Sequence, residues 1–148
     1  MPGVYNRAVT SRATIILQSR LTELERLAAF VDQFGEQHGI GARDLFAIKL
    51  ALDEVVTNVI RYAHDDAGDH EIVVRLGREG GEMAAEVEDE GRPFDPLQVG
   101  APDLAAPLEE RQVGGLGIHL ARQMTDRLEY RRQGDHNVLT MRRTLGGE

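Results

Sequence analysis

The chain has 148 residues, 41% of them hydrophobic, with a net charge of −8 and no cysteine. One domain of this length buries roughly two thirds of its unfolded surface, the missing cysteines exclude disulfides and thiolate-held metals, and the acidic balance argues against binding to a nucleic-acid backbone. No apolar run approaches the roughly 18 residues of a membrane span, and the first residues lack a signal-like apolar segment, so a soluble, cytoplasmic protein is expected.

Residues 1–12 are polar and mixed and read as a loose lead-in. The apolar run ATIILQS, 13–19, suits a strand. From Leu21, the positions Leu24, Leu27, Ala28, Val31 and Phe34 keep helical spacing, with Thr22 and Glu25 as a capping box and Gly35, Gly39 and Gly41 as the stop.

Residues 44–64, DLFAIKLALDEVVTNVIRYAH, predict the long central helix. Leu45, Ile48, Leu52, Val55, Val56, Val59 and Ala63 recur at spacings of three and four and form its buried stripe. At about 100° per residue, Ala47, Ala51, Glu54 and Asn58 fall on one strip at the border of that stripe. Two small side chains leading to a carboxylate and an amide can floor a cleft, although solvated border residues would give the same pattern. Asp53 projects to a different flank.

The cluster HDDAGDH, 64–70, reads as a turn, and EIVVRLG, 71–77, with EMAAEVEDEG, 82–91, as a hairpin around 78–81. Residues 92–113 hold four of the five prolines and no sustained period, which predicts a long loop. GGLGIHLARQMTDRL, 114–128, predicts a glycine-led helix, and YRRQGDHNVLTMRR, 130–143, a last hairpin turning at 133–137. These elements assemble into an α/β (α+β) two-layer sandwich, with a mostly antiparallel mixed sheet and helices on one face.

Three separated pieces carry candidate chemistry. Glu54 and Asn58 share a helix face. Asp89 stands at a strand end before Gly91, where a carboxylate can accept from an amino group and a glycine lets a flat ring approach the backbone; a plain β-turn fits the same residues. Gly115, Leu116 and Gly117 open a helix whose free N–H groups and dipole suit an anion such as phosphate, or form an ordinary helix start. Positive charge comes almost wholly from arginine, Lys49 being the one lysine, and no G-x-x-x-x-G-K-[ST] occurs. The histidines, 38, 64, 70, 119 and 136, show no metal-ligand spacing.

Taken in order, EVVTN, EDEGRPFDP and GGLGIHL, with the final VLTMRR, resemble the ATP-binding (Bergerat) fold of the GHKL superfamily, and within it the anti-sigma factor serine-protein kinases of bacterial partner-switching systems. The resemblance covers residues 13–144. It implies Glu54 as general base, Asn58 as the Mg²⁺-binding asparagine, Asp89 with Gly91 at the adenine amino group, Gly115, Leu116 and Gly117 around the phosphates, and Thr140 near adenine. Arg111 is the candidate to reach the γ-phosphate; the family places a basic residue nearer the glycines, where Val113 and Gly114 stand here. The implied cofactors are ATP and Mg²⁺. The implied partners are a STAS-domain anti-anti-sigma protein as substrate, a sigma factor held inactive, and a second copy paired through the first strand and helix. Sensor histidine kinases share the nucleotide site but carry their phosphoacceptor on a separate helical domain, which these residues do not supply. The alternative is a non-catalytic module that binds nucleotide to switch between protein partners.

Overall fold

The structure, a computed structural model, describes residues 10–64, 68–93 and 115–146. Strand β1 (Thr10–Gln18) leads through a 3₁₀ turn (Leu21–Glu23) into helix α1 (Leu24–His38) and helix α2 (Ala42–Tyr62). Strands β2 (Glu71–Glu79) and β3 (Glu82–Asp89) form a hairpin, helix α3 (Gly115–Met124) follows, and β4 (Arg127–Gln133) and β5 (His136–Thr144) close the chain. The strand order is β1-β2-β3-β5-β4, and among the described residues every pairing is antiparallel rather than mixed.

Period-two patterning decides which face of the sheet meets the helices. Met83, Ala85, Val87 and Asp89 of β3 point inward, level with Ile72, Val74 and Leu76 of β2 and with Leu139 and Met141 of β5. Against them lie Leu27, Val31 and Phe34 of α1 and Ile48, Leu52 and Val56 of α2, all buried in one core. The outward face carries charge: Arg75 sits 2.9 Å from both Glu86 and Glu88 across the hairpin. That alternation gives an antiparallel sheet with one packed and one solvated face. Helix α2 touches both α1 and α3, and its end lies over β3.

Several boundaries move for local reasons. Strand β1 already begins at Thr10, inside the expected lead-in. The Thr22 and Glu25 capping box does not form, because the 3₁₀ turn makes Glu23 the cap residue and its carboxylate accepts from Gln18 N at 3.1 Å and pairs with Arg26 at 2.6 Å. Gly35 is not a stop; α1 runs through it, where a Cβ would stand 2.6 Å from Leu45 of α2, and the helix ends at Gly39 with φ 68°. Helix α3 stops at Met124, since Leu128 and Tyr130 alternate with charged residues and join the sheet as β4. The loop expected over 92–113 lies, beyond Pro93, outside the described residues. Among the described residues no helix is long and apolar enough to cross a membrane.

One buried ion pair ties the start of α2 to the last strand and the residues after it. Asp44, in the first turn of α2, accepts from Arg143 Nε and from Gly146 N, each at 2.8 Å, and Arg143 also donates to the Met124 carbonyl at 2.7 Å. Burial pushes the Asp44 carboxyl up, but the Gly146 N–H and the Arg143 guanidinium together outweigh it and hold the group below its ordinary 3.8. A carboxyl lowered on folding stabilises the protein above its unfolded value and loses that contribution as pH falls through the folded one. Arg143→Met should therefore cost about 3 kcal/mol in urea unfolding at neutral pH, because it leaves the carboxylate buried and unpaired. The stability gap between the native chain and Asp44→Asn should shrink as pH drops through 3.8 and below; a gap that stays constant with pH would refute the pairing.

Candidate functional site

The candidate residues Glu54, Asn58 and Asp89 lie on the second half of α2 and at the end of β3. Ala47 and Ala51 are 4% and 0% exposed, so they do not floor an open cleft as expected; α2 is packed between two other helices, and small side chains let such helices come close. Glu54 and Asn58, further along the same strip, are half-buried and one turn apart, while Asp53 is exposed. The helix closes at Ala63, roughly one and a half turns past Asn58.

Asp89 is the last residue of β3, on the inward face, and only 5% exposed. Its Oδ1 accepts from Gly91 N at 2.7 Å and from Asn137 Nδ2 at 3.1 Å. The turn after it is stapled to the end of α2, where Arg92 N donates to the Ala63 carbonyl at 3.0 Å. Gly91 owes its identity to that junction: a Cβ would stand 2.7 Å from the Ala63 oxygen. A close approach does demand glycine here, but α2 makes it.

Thr140 is not beside Asp89. It pairs across the sheet with Glu86, whose neighbours Ala85 and Val87 point inward, so Thr140 points outward, its hydroxyl 3.3 Å from Glu86 Oε2. It lines a cavity of about 360 Å³ on the outward face with Arg12, Arg75 and Arg142. Asn137 holds the place expected for Thr140. It lies directly opposite Asp89 in the sheet, 7% exposed, and its Nδ2 also donates to the Arg92 carbonyl at 2.9 Å. Its Oδ1 accepts from Tyr130 Oη at 2.6 Å and Arg132 at 3.2 Å, and Arg132 donates to the Gly91 carbonyl at 2.8 Å. The available signal was registration: once the two hairpins are aligned, the first inward residue of β5 meets the last inward residue of β3.

Helix α3 begins at Gly115 and packs along α2, the helix that carries Glu54 and Asn58. The Leu116 side chain and Arg111 lie outside the described residues. Among the described residues no three of His, Asp and Glu converge into a metal cage. An amide oxygen such as that of Asn58, joined by oxygens of a ligand, would make a shell that suits Mg²⁺.

Gly91→Ala should destabilise the chain by about 2 kcal/mol in chemical denaturation, because neither the Ala63 backbone nor the strand end can yield without opening the junction. A cost below about 0.5 kcal/mol, the range of an ordinary surface change, would show that the turn is not pinned there.

The model of a histidine kinase-like ATPase domain matches residues 17–143. The serine/threonine-protein kinase BtrW of Bordetella bronchiseptica is 32% identical over 100 residues, 68% of this chain and 70% of the relative. The serine-protein kinase RsbW of Halalkalibacterium halodurans is 28% identical over 124 residues, 81% of this chain and 74% of the relative. The crystal structure of the RsbU and RsbW domains of Rv1364c from Mycobacterium tuberculosis is similar in fold over 91% of this chain, with a TM-score of 0.65 and 17% identity; the chain spans 32% of that longer one. The chain thus belongs to the histidine kinase-like ATPase domain family and stands, within it, with the partner-switching serine-protein kinases.

Proposed function

We propose that the chain is an ATP-dependent protein serine kinase and anti-sigma factor that phosphorylates a STAS-domain anti-anti-sigma protein and otherwise sequesters a sigma factor. The observation that carries the reading is Asp89: a buried carboxylate at a strand end, held by its neighbours through one oxygen and stapled to the helix that presents Glu54 and Asn58. A buried acceptor of this kind suits the exocyclic amino group of adenine.

The other roles follow from position. Asn58 offers an amide oxygen to Mg²⁺, and Gly115 to Gly117 offer helix-start N–H groups to phosphate oxygens. Arg111 is the candidate for the terminal phosphate. Mg-ATP, when bound, supplies the transferable phosphoryl group with its charge partly neutralised. Glu54, one turn before Asn58, takes the proton of an incoming serine hydroxyl and holds that oxygen in line. The half-burial of Glu54 keeps it accessible to a visiting protein. A carboxylate at that point has no evident use in a pure nucleotide switch, which favours an enzyme over a binding module.

Pairing of two copies through β1 and α1 is supported by exposure at the sheet edge, where Ile16 is 49% and Leu21 45% exposed. An unpaired edge strand with apolar side chains is a template for a partner strand.

Phosphoryl transfer from labelled ATP to a serine of a STAS partner tests the reading. Glu54→Ala should lower the rate by roughly 100-fold or more, the usual worth of a general base, while leaving nucleotide affinity intact. Undiminished transfer would assign the base elsewhere. Asp89→Asn should weaken ATP and ADP alike, by about 2 kcal/mol, since both carry the same base; a loss confined to ATP would place Asp89 at the phosphates instead.

A further inference from the structure

Asp89 is oriented by more than its own turn. Asn137 touches the Asp89 carboxylate, the Gly91 carbonyl at 3.4 Å and the Arg92 carbonyl at 2.9 Å, all through Nδ2. Its amide cannot be reversed without cost. Oδ1 faces the Arg132 guanidinium, which has donors only, and the Tyr130 hydroxyl, whereas Nδ2 faces carbonyl and carboxylate oxygens, which only accept. The network runs from β4 through β5 to the loop after β3, and Arg132 closes it on the Gly91 carbonyl.

Both donors to Asp89 converge on Oδ1. Two N–H donors on one oxygen lock the carboxylate plane and leave Oδ2 as the oxygen offered to a ligand. The Asn137 amide turns its donor end to the carboxylate, so Asp89 meets it only as an acceptor. A second acid at this position would do the opposite, since two facing carboxyls share a proton and one of them becomes a donor.

We infer that Asn137 is a positioning residue that fixes Asp89 as an acceptor and thereby makes the site select a 6-amino purine over a 6-oxo purine, with Tyr130 and Arg132 holding Asn137 in that orientation. The inference rests on the nucleotide reading above. A site built to receive an amino group discriminates through the cost of leaving its buried acceptor facing another acceptor. The 6-oxo base presents that clash, so selection depends on Asp89 accepting and having nothing to donate.

The test is calorimetric titration of the native chain, Asn137→Asp, Asn137→Ala and Tyr130→Phe with Mg-ATP and Mg-ITP, urea unfolding of each serving as the control for folding. The native chain should prefer ATP by on the order of 30-fold. Asn137→Asp should narrow that ratio most, by strengthening ITP as well as weakening ATP; Asn137→Ala should narrow it severalfold. Tyr130→Phe, which keeps the ring and loses one donor to Asn137, should shift it less in the same direction and stays informative where an Asn137 variant fails to fold. Equal weakening of both nucleotides, with the ratio unmoved in every folded variant, would make Asn137 a strut of the loop and overturn the inference while leaving the nucleotide reading in place. A native chain that binds neither nucleotide would overturn that reading and the inference together.

Discussion

The site depends on how closely the turn after β3 packs onto the end of α2. A helix leaves its last carbonyls without intrahelical partners, and here the Ala63 carbonyl is taken by Arg92 N at 3.0 Å. Ala63 comes so close to the turn that only glycine fits at position 91, where a Cβ would stand 2.7 Å from its oxygen. The consequence is geometric: Asp89, at a strand end, is referenced directly to the helix that carries Glu54 and Asn58. Groups on a strand and a helix joined in this way keep a relative placement that loop-borne groups would not.

The sheet divides its labour by face and by end. Its inward face is apolar in the middle and turns polar at both ends, with Asp89 and Asn137 at one and Arg143, reaching Asp44, at the other. The first pair leaves a carboxylate oxygen for chemistry. The second spends both Asp44 oxygens on the protein itself, on Arg143 and Gly146, which fits a clamp and leaves nothing to offer a ligand. The outward face carries cross-strand ion pairs such as Arg75 with Glu86 and Glu88. Exposed pairs of this kind add little stability and chiefly keep the face solvated.

Much of this was legible in the residues. The spacing of Ile48, Leu52, Val55 and Val56 marks α2, and the alternation of Met83, Ala85 and Val87 marks β3, because burial on one face imposes a period that sequence preserves. Asp89 and the glycines that open α3 stand at element ends, where turn and cap residues are distinctive. What was not legible depended on tertiary placement. Thr140 and Asn137 lie three residues apart on one strand and so take opposite faces, and only the register of β3 against β5 decides which of them stands beside Asp89. Ala47 and Ala51 read equally well as a cleft floor or as a helix contact, and the packing of α1 and α3 against α2 decides it. Gly91 was recognisable as a close approach, but the group approaching it, Ala63, is 28 positions earlier in the chain.

The central claim is that Asp89 receives the purine of a nucleotide whose phosphates meet the start of α3. A crystal structure of the native chain with a non-hydrolysable ATP analogue and Mg²⁺ tests it most directly. The expected result is the exocyclic amino group about 3 Å from Asp89 Oδ2, with the phosphates at Gly115 to Gly117. A nucleotide seated elsewhere, for example in the cavity on the outward face beside Thr140, would contradict it.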